Sequence, residues 1–371
     1  MQDCRVLVIG GYGFFGRRLV ERLAQHPGLH VLVAGRSIGA ARQVVQELQQ
    51  RAHARLEGVA LDAQAASLAD DLRRLRPAVV INASGPFQGQ DYRVPAACIA
   101  AGVHAIDLAD SRAYVTNIGS LDQEARAAGV LVTSGASSVP ALSAAAVDAL
   151  AHGLAELRSI DIGISPGNRT ERGLATVRAI LGDCGKPLPA SGGKPAAAWV
   201  GTRRHVYPAP VGARLLSPCD VPDLVLFPQR YPGRPSTTFT AGLELEFLHR
   251  GMNAMAWASR IGLVRDWSRH AVALKWLADR FRTWGSDAGA MHVALTGIDG
   301  SGRECRRSWH LLATHGDGPY VPTLAAAALV RKLAAGVRPA PGAGPCLGLL
   351  SLADFQQAAT GLHITMESTT P

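Results

Sequence analysis

Residues Val6–Leu23 read VLVIGGYGFFGRRLVERL. An apolar run stops at four glycines placed within seven residues, and an arginine-studded amphipathic stretch follows. Glycine weakens regular structure, so a cluster of it answers a local geometric demand. Gly11, Gly13 and Gly16 have the G-x-G-x-x-G spacing, and Gly10, Gly13 and Gly16 also fit G-x-x-G-x-x-G. A strand before and a helix after form the context in which this spacing marks a dinucleotide-binding turn. In that reading the first glycines permit the tight turn, and Gly13 lets a pyrophosphate approach the backbone. Gly16 lets the helix pack closely on the strand, and backbone N–H groups around Tyr12, Phe14 and Phe15 face the anion. The alternative is a tight βα turn with no ligand.

Working outward, short apolar runs alternate with helical stretches. Strands are predicted at Arg5–Ile9, His30–Ala34, Leu56–Leu61, Ala78–Asn82, His104–Leu108 and Val130–Thr133. Helices are predicted at Phe14–Gln25, Ala40–Arg51, Ser67–Leu75, Tyr92–Ala101 and Leu121–Ala128. Near-continuous Val/Ile/Leu strands separated by helices argue for an α/β, doubly wound parallel sheet of Rossmann type.

The end of the second strand bears on which dinucleotide would bind. An NAD-type site carries an acid there to hold the ribose hydroxyls. This chain has AGRS at Ala34–Ser37, with Arg36 in the acid's place. A guanidinium can clamp a 2′-phosphate through two N–H groups, and the Ser37 hydroxyl can add a hydrogen bond. The reading is NADP(H), against a merely solvated arginine. Asp62 ends the third strand, facing the adenine or capping the next helix. Asn82, Ala83, Ser84, Gly85 and Pro86 end the fourth, with Phe87 after them, at the sheet edge where such folds place ligands.

Composition narrows the class. The 371 residues are 47% hydrophobic and carry a formal charge of +9, with a mean hydropathy of +0.10. The basic residues are almost all arginine and spread along the chain, with no run of like charge, so no nucleic-acid partner is expected. Six cysteines form no C-x-x-C pair and lack zinc-ligand spacing, so no metal site is expected. No targeting segment or membrane span is legible, and the expectation is a cytoplasmic protein.

After Val147 the regular alternation ceases. Strands are predicted at Arg158–Ile164, at Ala197–Val200, and as a hairpin of Ala290–Ile298 with Arg306–Ala313; helices are predicted at Glu171–Leu181 and Thr323–Ala335. Four of the six tryptophans, Trp257, Trp267, Trp276 and Trp284, fall between Glu244 and Trp284. Leu274, Leu277, Phe281 and Trp284 would share one helical stripe beside Lys275, Arg280 and Arg282. Such a stripe faces a core, covers a lipid-like substrate as a lid, or lies at a membrane surface.

The glycine turn, GRS, NASGPF, GVHAIDLAD (Gly102–Asp110) and SSVPALSAAAVD (Ser137–Asp148) together resemble the saccharopine dehydrogenase-like oxidoreductases. Through GSDAGAM (Gly285–Met291) and GAGPCLGLLSLADF (Gly342–Phe355) the remainder is similar to a bacterial subgroup of that family. The resemblance implies a Rossmann domain followed by an α+β domain, with C-terminal helices returning to the first. The division would be 1–147 for cofactor, 148–320 for substrate or dimerisation, and 321–371 for the returning helical segment. Relatives reduce or oxidise C–N bonds of amino-acid or polyamine adducts, and one branch reduces lipid enoyl groups. The chain departs from saccharopine reductases at DLADSR (Asp107–Arg112), where those carry DLTGE-like residues. Fold and cofactor therefore carry over, whereas the substrate does not.

A hydride-transferring site needs the substrate positioned and a proton supplied. By position, the candidates are Tyr92 as proton donor or packed aromatic, and Asp107 and Asp110 to orient an amine or cap a helix. Arg112 suits a substrate carboxylate, and Ser138 lies at the same edge. The expected activity is an NADP(H)-dependent oxidoreductase on a small or lipid-like C=N, C=O or C=C substrate. The alternative is a redox-neutral or non-catalytic NADP-binding protein associated with a membrane. A homodimer stays open.

Overall fold

The computed structural model describes residues 4–191 and 194–369. They divide into two compact units, one of residues up to 142 with 320–358 and the other of the described residues of 143–319 with those from 359 onward.

In the first unit each predicted strand is present, displaced by one residue at most: β1 (Cys4–Ile9), β2 (Leu29–Gly35), β3 (Arg55–Ala60), β4 (Val79–Asn82), β5 (His104–Asp107) and β6 (Leu131–Ser134). Between them lie α1 (Phe14–Ala24), α2 (Ile38–Gln49), α3 (Leu68–Leu75), α4 (Arg93–Ala101), α5 (Arg112–Asn117) and α6 (Asp122–Ala127). Helix α5 was not predicted. Every strand pairs in parallel, in the order β6-β5-β4-β1-β2-β3, and a seventh strand, Gly342–Pro345, pairs with β6. This is the doubly wound sheet expected. The order reverses between β1 and β4, which opens the crevice where such sheets take ligands.

The reason for the fold is on the strands. Val6, Leu7 and Val8 are wholly buried, as are Val31, Leu32, Val33 and Ala34. Each such aliphatic side chain contributes about 1.5–3 kcal/mol when removed from water. Helix α1 covers one face with Leu19, Val20 and Leu23. The alanine-rich helix Leu324–Ala334 returns to this unit and buries Leu324, Leu329, Val330 and Leu333. Arg22 on α1 donates to the Ala358 carbonyl at 2.7 Å, and Tyr320 donates to Glu21 at 2.5 Å.

The second unit opens with α7 (Ser143–Ala151) and is built on a mixed seven-stranded sheet. Its strands are β7 (Leu154–Ser165), β10 (Arg203–Val206), β11 (Ala213–Pro218), β12 (Ser236–Ala241), β13 (Gly289–Asp299) and β14 (Glu304–Ala313), closed by Ile364–Thr369. The separate pair β8 (Pro187–Ser191) and β9 (Lys194–Ala197) forms a small hairpin. Four helices complete it: α8 (Leu174–Asp183), α9 (Asp223–Arg230), α10 (Glu246–Arg260) and α11 (Ala271–Asp279).

Three expectations need correction here. The strand placed at Ala197–Val200 lies earlier, because Ala198 and Trp199 form a turn, with Trp199 at a φ of 61°. The segment 321–371 is not wholly a helical return: Ile364–Thr369 is a strand pairing with β14. The supposed stripe through Trp284 is interrupted, since α11 ends at Asp279 and Phe281 and Trp284 follow it in turns.

Candidate active site

The turn after β1 is built from its glycines. Gly10 has a φ of +74°, and a Cβ there would sit 3.2–3.3 Å from the backbone of Ala83 and Ser84. The glycine turn and the end of β4 thus touch backbone to backbone across the switch point. A Cβ on Gly16 would fall 2.0 Å from the Gly10 carbonyl oxygen, so no other residue fits without moving the turn. Helix α1 starts at Phe14 with Gly13 as its N-cap, has no side-chain cap and carries no acid in its first turn. Its leading N–H groups and positive dipole end therefore remain open to an anion.

Tyr12 has a role the motif did not disclose. Its ring lies against Gly35, where a side chain on residue 35 would come within 2.5 Å of it. Its hydroxyl accepts the Ser37 N–H at 3.1 Å. Tyr12 thereby ties the glycine turn to the end of β2. Only the pairing of β1 with β2 brings these residues together, so no local sequence signal announced it. Beyond Gly35, Arg36 and Ser37 are exposed. The Ser37 hydroxyl caps α2 by accepting the Ala40 N–H at 3.2 Å, leaving its own O–H to donate. The Arg36 guanidinium has no hydrogen bond or ion pair among the described residues. Asp62 is exposed and accepts the Gln64 N–H at 2.9 Å. It closes a turn rather than capping α3, whose N-cap is Ser67.

After β4, buried Asn82 accepts the Ser84 N–H at 3.1 Å, and Gln90 donates to the carbonyls of Ser84 and Pro86 at 2.9 and 2.7 Å. The Asn82–Pro86 loop, with a cis bond between Gly85 and Pro86, is thus held from both ends.

The predicted catalytic groups divide. The Tyr92 hydroxyl donates to the Tyr114 carbonyl at 2.7 Å, and the two rings pack at 4.8 Å. Burial and the nearby Asp107 raise its pKa above the ordinary tyrosine value. In this structure its hydroxyl is turned to the backbone and its ring packs as an aromatic. Asp107 is buried, and one oxygen accepts the Ala109 N–H, the Ser134 hydroxyl and the Gly135 N–H at 2.9–3.0 Å. Burial pushes its pKa up to about 6 against these bonds. Beside Asn82, Tyr114 and Thr133 it lines a small interior cavity. Through these bonds Asp107 ties together the loops after β5 and β6. Asp110, half-buried, accepts from Gln88 at 3.5 Å, and Arg112 begins α5. Ser138 is buried in the turn 138–142.

Sequence reading also missed a ring cluster in the second unit. His205 stacks on His292 at 3.9 Å and 7°, and the His292 Nδ1 meets the Tyr207 hydroxyl at 2.9 Å. Arg203 grips Asp161 with two bonds of 2.6 and 2.7 Å, and Asp161 lies 3.6 Å from His292. Burial, followed by the charges of His292 and Arg203, holds His205 down to about 4. Burial lowers His292 as well. No cluster among the described residues has the makings of a metal site.

Residues 6–133 match the family model described as the saccharopine dehydrogenase NADP binding domain. That match covers about a third of the chain. No curated protein matches the chain. Among solved structures, an apo, histidine-tagged saccharopine dehydrogenase (L-Glu forming) from Saccharomyces cerevisiae is similar with a TM-score of 0.68 and 14% identity, covering 99% of this chain and 100% of that one. At that identity the likeness is one of fold. A short-chain dehydrogenase from Sphingobium yanoikuyae in complex with NADPH matches 35% of this chain and 69% of its own, at 16% identity and a TM-score of 0.26. The matched residues run from β1 to β6, and so include the glycine turn, Arg36 and the Asn82–Pro86 loop.

Proposed function

We propose that this protein is an NADP(H)-dependent oxidoreductase of the saccharopine dehydrogenase-like type, acting on a C=N, C=O or C=C substrate of small or lipid-like character. The observation that carries this is the uncapped, acid-free start of α1 at the switch point, with the unpartnered Arg36 guanidinium at the end of β2. Open N–H groups there suit a pyrophosphate, and a guanidinium suits a 2′-phosphate.

In this reading Gly13, Phe14 and Phe15 face the pyrophosphate. Arg36 and the free O–H of Ser37 take the 2′-phosphate, with Tyr12 holding the Ser37 backbone. The exposed carboxylate of Asp62 borders the adenosine side, and the rigid Asn82–Pro86 loop borders the ribose and nicotinamide. The bound nicotinamide supplies or accepts the hydride. Asp110 and Arg112, at the same carboxyl edge as that loop, orient the substrate's polar groups. The Asp107 and Tyr92 bonds keep the supporting loops rigid and dry.

A second reading, a redox-neutral NADP-binding protein, draws support from the commitment of both the Tyr92 proton and the Asp107 carboxylate to the fold. Nicotinamide absorbance distinguishes the two. Incubation of NADPH with imines of amino acids, simple ketones and acyl enoates is expected to consume NADPH stoichiometrically with one class. Tight NADPH binding without consumption across all three would favour the redox-neutral reading.

A further inference from the structure

The region from Glu246 to Trp284 is unlike the rest of the second unit. Across residues 246–284 only His249, Ala256 and Ala271 are buried. Phe247, Trp257, Ile261, Leu263, Val272, Trp276, Leu277 and Trp284 are all exposed, from 45% for Phe247 to 73% for Leu263. Helix α11 buries no residue but Ala271, although its sequence is AVALKWLAD. A core-facing helix would bury its leucines and tryptophan. This much exposed apolar surface marks a contact site.

The patch is held in shape. Phe247, Phe281 and Trp284 pack edge to face at 5.0–6.1 Å. Asn168 donates to the carbonyls of Phe281 and Trp284 at 2.7 and 3.1 Å. Beneath them the Glu244 carboxylate accepts the N–H groups of Asn168 and Ser286 at 2.6 and 2.9 Å, and pairs with buried Arg214 at 3.0 Å. The aromatic turn is thus presented outward by a buried polar anchor.

The charge around it is predominantly positive. The stretch carries seven arginines and lysines against three carboxylates. The Arg280 guanidinium lies 4.4 Å from the Trp276 ring centroid, and that of Arg260 lies 5.7 Å from Trp257. A second copy docked through this face would set cation against cation. An anionic bilayer matches both halves of the pattern. Tryptophans and aliphatics sink to the headgroup boundary while arginines meet lipid phosphates.

We propose that the α10–α11 face is a peripheral docking surface for an anionic membrane. Because no helix among the described residues is long and apolar enough to cross a bilayer, the contact is an interfacial one. It does not depend on the cofactor reading.

The test is vesicle flotation of the full chain with phosphatidylcholine alone and with about 30% phosphatidylglycerol added. The expected result is flotation with the anionic vesicles, at least roughly tenfold weaker with the neutral ones and weakened by salt. Trp257→Ser with Trp276→Ser should reduce binding by about tenfold or more with an unchanged melting temperature, since both side chains are exposed. Arg260→Glu with Arg280→Glu provides the same loss through charge, should the tryptophan variant fold poorly. Absence of flotation with anionic vesicles would overturn the proposal. So would wild-type flotation of folded variants, or a dimer that the tryptophan variant dissolves while no vesicle binding occurs.

Discussion

Asp223 is wholly buried at the first position of α9. Ser143 donates to one of its carboxylate oxygens, and the other has no partner. Burial pushes its pKa up to about 7 despite the Ser143 bond. A folded value above the unfolded one means that the native state keeps a proton which the unfolded chain has released. The resulting stabilisation is complete below the unfolded value of 3.8 and is lost as pH rises through about 7. At roughly 1.4 kcal/mol per unit, the loss is on the order of 4 kcal/mol. Asp107 acts in the same direction through its value of about 6. Thermal unfolding between about pH 4 and pH 8 should show wild type losing stability relative to Asp223→Asn. A pH-independent difference between the two would show that Asp223 does not titrate in this window. Neither aspartate's environment was legible locally. Asp223 meets Ser143 across 80 residues, and Asp107 meets Gly135 across 28. The Tyr92 bond to Tyr114 is likewise a product of tertiary packing, which is why position along the chain suggested a proton donor there.

Elements with a strong period were readable; elements defined by their neighbours were not. Strands β1, β2 and β4 carry apolar runs flanked by turn residues, and each of the six strands lies within one residue of its predicted place. The strand Gly342–Pro345 has no such pattern, and pairing with β6 alone makes it a strand. Helix α11 looked like part of a core stripe because its pattern is apolar, and sequence cannot say whether a partner covers it. The glycine turn offers an element-scale test that separates architecture from ligand. Gly16→Ala forces a Cβ to 2.0 Å from the Gly10 carbonyl oxygen and should cost about 3 kcal/mol or more of stability. Gly13 has an ordinary φ of −74°, and a Cβ there would come no closer than 3.0 Å to the Gly10 carbonyl oxygen. Gly13→Val should therefore melt closer to wild type while losing at least about tenfold in NADPH affinity through obstruction of the pyrophosphate. Unchanged affinity in a folded Gly13→Val protein would contradict the placement of the anion.

At the scale of the molecule, the chain builds a parallel sheet, leaves it at Leu142 for a mixed sheet, and returns from Tyr320 to Ala358 to complete the first unit. The loss of βα alternation after Val147 suggested a division there, whereas the contacts part the chain at Leu142, and the final strand's return to β14 depends on a pairing that no local pattern reveals. Everything proposed about activity rests on the first unit's choice of cofactor. Arg36 is exposed and unpartnered among the described residues, so its guanidinium is available to a 2′-phosphate. Charge-assisted hydrogen bonds contribute on the order of 1.5–3 kcal/mol each, which corresponds to a preference for NADPH over NADH of roughly tenfold to a thousandfold. Titration of NADPH and NADH against wild type and Arg36→Ala measures this directly. The account predicts that wild type prefers NADPH within that range and that Arg36→Ala weakens NADPH while leaving NADH nearly unchanged. Equal wild-type affinities, or an unaltered ratio in Arg36→Ala, would contradict it.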